Sequence, residues 1–412
     1  MAKAKFSIKK VGKNLKKVPL VVALPILFVS FFLLGIYAGT AKDKLSSIFR
    51  IPPALLISAS ERISPGELKE RLNNKNFTLI NVHTPYEGEI VGTDTFIEYD
   101  GLMAARTNLP QDKNAEIVLY CKTGRMSAEA LLTLKKLGYT NIKHLEGGME
   151  AWQKSGEKTL DLSDLPGKVL PEAGFSLPIS WGDIGPRLIA LGVIDADKFE
   201  EGLKPTDEQK KILREGGDIP ISIDMKNGQF VVDMLWALGL AQKSIVYTEG
   251  PLGQEYAGRV GNFASTGGWS LARGDAVNYL NKFDLIALTL EQQRRVGEIA
   301  KGVFRPCCGN STWFPDCNHG MAALAAIELL VSKGGLSDEE IYKEVLKLNS
   351  FWFPDTYLTT ATYFARQGIS WEDVSAKEVL GEAYSSARGA ADIYTKVGPI
   401  QFNGGAGGSC GA

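Results

Sequence analysis

The stretch AEIVLYCKTGRMSAEALLTLKKLGY, Ala115 to Tyr139, decides the fold of the first folded part of this chain. It opens on a short β-rich apolar run ending at Tyr120 and closes on a segment with helical periodicity from Ser127. Between them lies a loop that begins with Cys121. Strand, loop and helix in that order place a thiol at the carboxyl end of a strand, where open α/β sheets bind ligands. A tight loop there turns successive backbone N–H groups inward, and the helix N-terminus adds positive potential. Both features favour an anion, the nucleophilic form of a thiol. Lys122 and Arg125 add charge at the rim, Gly124 permits unusual dihedrals, and Ser127 is placed to cap the outgoing helix.

Outward from this loop the alternation continues. SPGELKERLNN starts a helix at Ser64 and Pro65, FTLINV is a second β-rich run, and NIKHLEGG is a short strand and turn before MEAWQKSG. The pattern predicts an open, mostly parallel sheet with flanking helices over residues 63–158. A linker containing Pro and Gly, 159–177, follows it.

From 178 to 402 the pattern becomes mainly α-helical. Capping boxes recur at Thr206 with Gln209, Thr289 with Gln292, and Ser337 with Glu340. GQFVVDMLWALGLA and MAALAAIELLVSKGG read as further helices, and strand signals are confined to IPISID and SIVYT. NSTWFPD (Asn310–Asp316) recurs as NSFWFPD (Asn349–Asp355), which predicts a repeated helix–turn–helix unit. The tail at 403–412 is rich in glycine and predicted flexible, with Cys410 in it.

The composition is that of a globular protein, 44% hydrophobic and 23% charged with a net charge of −1. Residues 1–17 nevertheless carry seven lysines and no acid, leaving 39 basic against 47 acidic side chains elsewhere. The basic tail does not indicate nucleic-acid binding, because Val18–Thr40 follows it without a charge over 23 residues. That length spans a bilayer core of roughly 30 Å as a helix. The reading is a cytoplasmic tail (1–17), a single transmembrane signal anchor embedded in the lipid bilayer (18–40), a stalk (41–62) and an extracytoplasmic remainder.

The Cys121 loop, together with LINVHTPYEGEI and GYTNIKHLEGGMEAW, resembles the rhodanese family of sulfurtransferases over about residues 63–156. The resemblance implies that Cys121 takes a sulfane sulfur from a donor as a persulfide and passes it to a thiol or another nucleophile. It implies no cofactor, and a site formed by Cys121, Lys122, Thr123, Gly124, Arg125, Met126 and Ser127. The six residues from Cys121 to Met126 match the loop length of the members that handle sulfur. Where the family usually shows Asp-Val-Arg, this chain has Asn81, Val82 and His83, which predicts altered substrate contacts. His83 and His144 are read as packing or surface residues.

Three of the five cysteines, Cys307, Cys308 and Cys317, crowd together with His319. Soft thiolates with an imidazole suit Zn²⁺ or Cu(I), although adjacent cysteines rarely both reach one ion. A thiol pair for redox or sulfur relay and a plain disulfide are the other readings. The chain therefore reads as a membrane-anchored sulfurtransferase. The alternative is a protein that binds soft metals or acts in thiol redox, with its α/β domain docking a protein partner.

Overall fold

The computed structural model describes residues 56–398. The expected cytoplasmic tail, transmembrane anchor, most of the stalk and the glycine-rich tail lie outside the described residues. Among the described residues no helix is long and apolar enough to cross a membrane.

Five strands form a parallel sheet in the order β1-β6-β5-β2-β4. They are β1 (Arg62–Ile63), β2 (Thr78–Asn81), β4 (Thr95–Phe96), β5 (Ile117–Tyr120) and β6 (Ile142–Leu145). β3 (Glu89–Ile90) pairs antiparallel with β7 (Thr159–Leu160) beside this sheet. β5 lies centrally, with Val118 beside both Leu79 and Lys143. Its apolar run has no alternation because both faces are covered. Ile117 and Leu119 enter one core cluster, Val118 and Tyr120 the other. The helix Pro65–Leu72 begins where the Ser64 hydroxyl accepts the Glu67 N–H at 3.2 Å. Such a cap contributes about 1 kcal/mol. The helix Arg125–Lys136 turns Ala128, Ala130, Leu131 and Leu134 inward against the sheet.

The region after the sheet is mainly helical, and all three expected capping boxes form. Its centre is the pair Gly228–Ala241 and Asn318–Lys333. Gly239 allows their close approach, since a Cβ there would lie 2.3 Å from the Met321 carbonyl oxygen. IPISID becomes part of β9 (Gly217–Ile223), which pairs antiparallel with β8 (Phe175–Gly182). SIVYT is not a strand. Ser244 accepts the Val246 N–H and starts the helix Ile245–Glu249, so local capping overrides the β-branched composition.

The repeated heptapeptide does not build a repeated unit. Asn349–Trp352 ends the helix Asp338–Trp352 and Pro354 opens the next, whereas Asn310–Asp316 contributes Ser311 to a bridge with Phe304 and then turns. Asp316 does not cap the following helix, because Cys317 occupies that position. Residues 159–177 carry β7 and the helix Leu165–Val169, with Leu162, Leu165 and Val169 in the helical core.

One buried ion pair joins the α/β and helical parts, which belong to one compact unit. Arg366 Nε and Nη2 donate to the two carboxylate oxygens of Glu89 at 2.6 and 2.9 Å. Its Nη1 donates to the carbonyls of Asp94 and Val397. Glu89 is completely buried and Arg366 nearly so.

Candidate functional site

Cys121 leaves β5 at its carboxyl end, and its side chain is 1% exposed. β5 is fixed from below by the Tyr120 hydroxyl, which accepts the Ile90 N–H at 3.0 Å and meets Thr93 Oγ1 at 2.6 Å. Gly124 takes φ +91°, which turns its N–H back to donate to Cys121 Sγ at 3.1 Å. The helix Arg125–Lys136 starts immediately afterwards, so its N-terminus faces the sulfur.

The loop rests on the second glycine signature. The Met149 and Glu150 N–H groups donate to the carbonyls of Cys121 and Lys122 at 2.8 and 3.0 Å. At Gly148, with φ +59°, a Cβ would stand 2.2 Å from the Cys121 carbonyl oxygen. The glycine pair Gly147–Gly148 and the cysteine loop are therefore one structure. A side chain at the second glycine would push the Cys121 backbone out of place.

Ser127 does not cap the helix; Gly124 holds that position. Ser127 is buried one turn inside, where its hydroxyl donates to the Gly124 carbonyl at 3.1 Å and lies 3.6 Å from Cys121 Sγ. On its other side, 3.3 Å away, is Nδ1 of His144. His144 is buried on β6, and burial holds its imidazole below the usual range. It is linked to the sulfur through one hydroxyl. Sequence reasoning treated it as packing; its place one residue before Leu145 on β6, the strand beside β5, was the available signal.

At the rim, Thr123 and Arg125 are exposed while Lys122 and Met126 are half-buried. Lys122 Nζ pairs with Glu87 at 2.6 Å and Arg125 Nη1 with Glu129 at 2.7 Å, so each expected basic charge already has an acid beside it. Asn81 and His83 are both buried. The Asn81 amide donates to the Gly88 carbonyl and its oxygen accepts the His83 N–H, both at 3.0 Å. That position therefore organises the β2 exit. His83 Nε2 lies 3.6 Å from Glu87, and burial lowers its pKa.

In the helical region the Sγ atoms of Cys307, Cys308 and Cys317 all lie within 4.8 Å of one another. The Cys307–Cys317 separation is 3.4 Å, and neither sulfur is in a disulfide. Adjacent Cys307 and Cys308 both lie close to Cys317. Contacts from Cys307 and Cys308 hold the Cys317 thiol well below its ordinary range.

His319 does not join them. It is 2% exposed, its ring centroid 4.5 Å from that of Phe353 and 5.8 Å from that of Trp352. Burial pushes its imidazole down to about 4. The cause is helical geometry: Cys317 is the N-cap and His319 the second helical residue, which points into the core.

A five-stranded parallel α/β domain with a buried thiol on a strand-end loop, facing a helix N-terminus, defines the class. Residues 64–155 match the rhodanese-like domain. The probable adenylyltransferase/sulfurtransferase MoeZ of Mycobacterium tuberculosis is 42% identical over 101 residues, 22% of this chain and 24% of that protein. A sulfurtransferase of Allochromatium vinosum is 29% identical over 97 residues, 23% of this chain and 89% of its own length. A rhodanese-related protein from Thermoplasma volcanium, a solved structure, aligns with TM-score 0.22 at 28% identity, over 24% of this chain and 96% of its own. The chain thus spans about a quarter (24%) of the length of the mycobacterial relative. Residues 64–155 form a rhodanese-like domain, and the helical region has no family match.

Proposed function

We propose that this chain is a membrane-anchored, extracytoplasmic sulfurtransferase that carries sulfur on Cys121. The Gly124 N–H aimed at Cys121 Sγ is the observation that carries the reading. The Cys121 thiolate attacks the outer sulfur of a sulfane donor. A new S–S bond forms, the donor's S–S bond breaks, and its remainder departs with the electron pair. An acceptor thiolate then attacks the outer sulfur of the Cys121 persulfide, and Cys121 leaves as thiolate. No net oxidant is consumed and no cofactor is needed. The Gly124 N–H and the helix N-terminus favour the anionic form of the sulfur.

With a sulfane donor, mass spectrometry should find one added sulfur on Cys121, and Cys121→Ser should remove it. Equal loading in Cys121→Ser would move the chemistry to another thiol. The anchoring part rests on the charge-free run Val18–Thr40 behind seven lysines. Deleting residues 1–40 should release a folded protein into the soluble fraction. Continued partition into membranes after a salt wash would refute a single anchor.

A further inference from the structure

We propose that Cys307, Cys308 and Cys317 hold one soft, thiophilic d10 cation, Cu(I) or Zn(II), through protein sulfur alone. This inference rests on the helical region and is independent of the chemistry at Cys121.

Three sulfurs converge, where a disulfide would use two. At a metal–sulfur bond of about 2.3 Å, sulfurs stand about 3.8 Å apart in a tetrahedral site and about 4.0 Å apart in a trigonal one. The Cys307–Cys317 separation of 3.4 Å is a little shorter than these values, and all three sulfurs lie within 4.8 Å of one another, so small side-chain rotations would suffice to seat an ion. The cluster is the single group of this kind among the described residues.

The scaffold is held from several directions. The Thr312 N–H donates to Val303 at 2.7 Å and the Ala387 N–H to Cys308 at 2.8 Å, which fixes the loop bearing the cysteine pair. Cys317 is tied to the start of the helix Asn318–Lys333.

The surrounding charge fits an anionic thiolate–metal centre. Arg305 is completely buried, and its charge acts on all three cysteines. Its Nη2 donates to Asp316 at 2.7 Å, while Nε and Nη1 have no hydrogen-bond partner. Three thiolates around a monovalent or divalent ion keep a net negative charge, and this guanidinium, although already paired with Asp316, offsets part of it through the unpartnered Nε and Nη1. Gly320 makes room for it: a Cβ there would meet Arg305 Cζ at 2.6 Å.

Among the described residues no fourth protein ligand is at hand. His319 is turned into the aromatic core, and the Asp316 oxygens accept from Arg305 and from Asn310 at 2.8 Å. With Cys307 exposed, the remaining position opens to solvent. Three-sulfur coordination of this kind suits Cu(I) directly and Zn(II) with a water.

The test uses the full chain in mild detergent, reduced and anaerobic, with Cys121→Ser and Cys410→Ser in place so that the cluster supplies the remaining thiols. It is titrated separately with Cu(I) and with Zn(II) against a competing chelator, then desalted and analysed for metal and by X-ray absorption. One equivalent of either ion should stay bound, with three sulfurs at about 2.3 Å. Cys307→Ser, Cys308→Ser and Cys317→Ser should each weaken retention roughly tenfold or more, with circular dichroism showing the fold retained. The arm that retains metal identifies the ion. No retention by the reduced protein, or retention that survives loss of any one of the three cysteines, would overturn the proposal. So would a Cys307–Cys317 disulfide that forms despite metal loading.

Discussion

Arg366→Met should destabilise the described unit more than any other single truncation of a charged side chain in it. The substitution leaves the Glu89 carboxylate completely buried without its cation. Removing one member of a buried pair costs about 3–5 kcal/mol, because the remaining charge stays desolvated. Two further acceptors, the part-buried Asp94 carbonyl and the buried Val397 carbonyl, lose their donor as well. Each orphaned acceptor costs about 1 kcal/mol or more, which places the change at the upper end of that range. Against a total stability of about 5–15 kcal/mol this is a large fraction. The assay is urea unfolding of the full chain in detergent, comparing parent, Arg366→Met, Glu89→Gln and the double variant. The double variant should recover part of the loss, since it leaves no unpaired charge, with a coupling energy of roughly 2 kcal/mol. Added salt should change the difference little, because the pair is shielded from solvent. Single variants within about 0.5 kcal/mol of the parent would refute the pair as the joint between the two parts.

Gly148→Ala places a methyl group 2.2 Å from the Cys121 carbonyl in a left-handed conformation. It should abolish sulfur loading on Cys121 and lower stability by at least about 1–2 kcal/mol, read by mass spectrometry and thermal melting. Glu328, inside the helix Asn318–Lys333, has its carboxyl pushed by burial from an ordinary 4.5 up to about 8. The folded state then binds this proton more tightly than the unfolded chain. Its contribution is full below pH 4.5 and is lost as pH rises towards about 8. Glu328→Gln should flatten that decline and exceed the parent at pH 9 by on the order of 2–4 kcal/mol, measured by denaturant midpoints across pH. A parent and variant with parallel pH profiles would remove Glu328 as the cause.

The α/β part was legible because each of its signals is local. A buried parallel strand shows as an unbroken apolar run, and a loop with φ > 0 shows as glycine. The capping boxes of the helical part were legible for the same reason: each is settled within four residues. What failed was set either by local backbone geometry that overrides composition or by partners distant in sequence. SIVYT has strand composition, yet Ser244 and Gly250 bracket a single helical turn. The two heptapeptides are nearly identical, yet one closes a helix and the other takes part in a β-bridge, because flanking segments set their backbone. His319 stands two residues from Cys317, and helical rotation alone separates them. His144 was missed because its tie to Ser127 spans two elements.

The two thiol environments differ in a way that bears on what each can do. Cys121 is enclosed, receives one backbone N–H and has its own carbonyl held by the Met149 N–H. Its surroundings are therefore fixed. Cys307 is exposed and has two other sulfurs within reach, so its surroundings supply ligands rather than a fixed path of attack. A single thiol held by dipoles suits passage of a covalently bound atom, since nothing nearby competes for it. Three thiols beside a buried guanidinium suit retention of a cation, since any persulfide formed there would have a neighbouring thiol ready to displace it. The placement of Arg305 sharpens the contrast: its buried charge is paired with Asp316, and its unpartnered Nε and Nη1 leave it able to face further anionic sulfur. In the transfer proposed for Cys121 the anion is transient, and backbone dipoles serve instead. Charge compensation by a guanidinium in one site and by peptide dipoles in the other is the physical basis for assigning the two sites different chemistry.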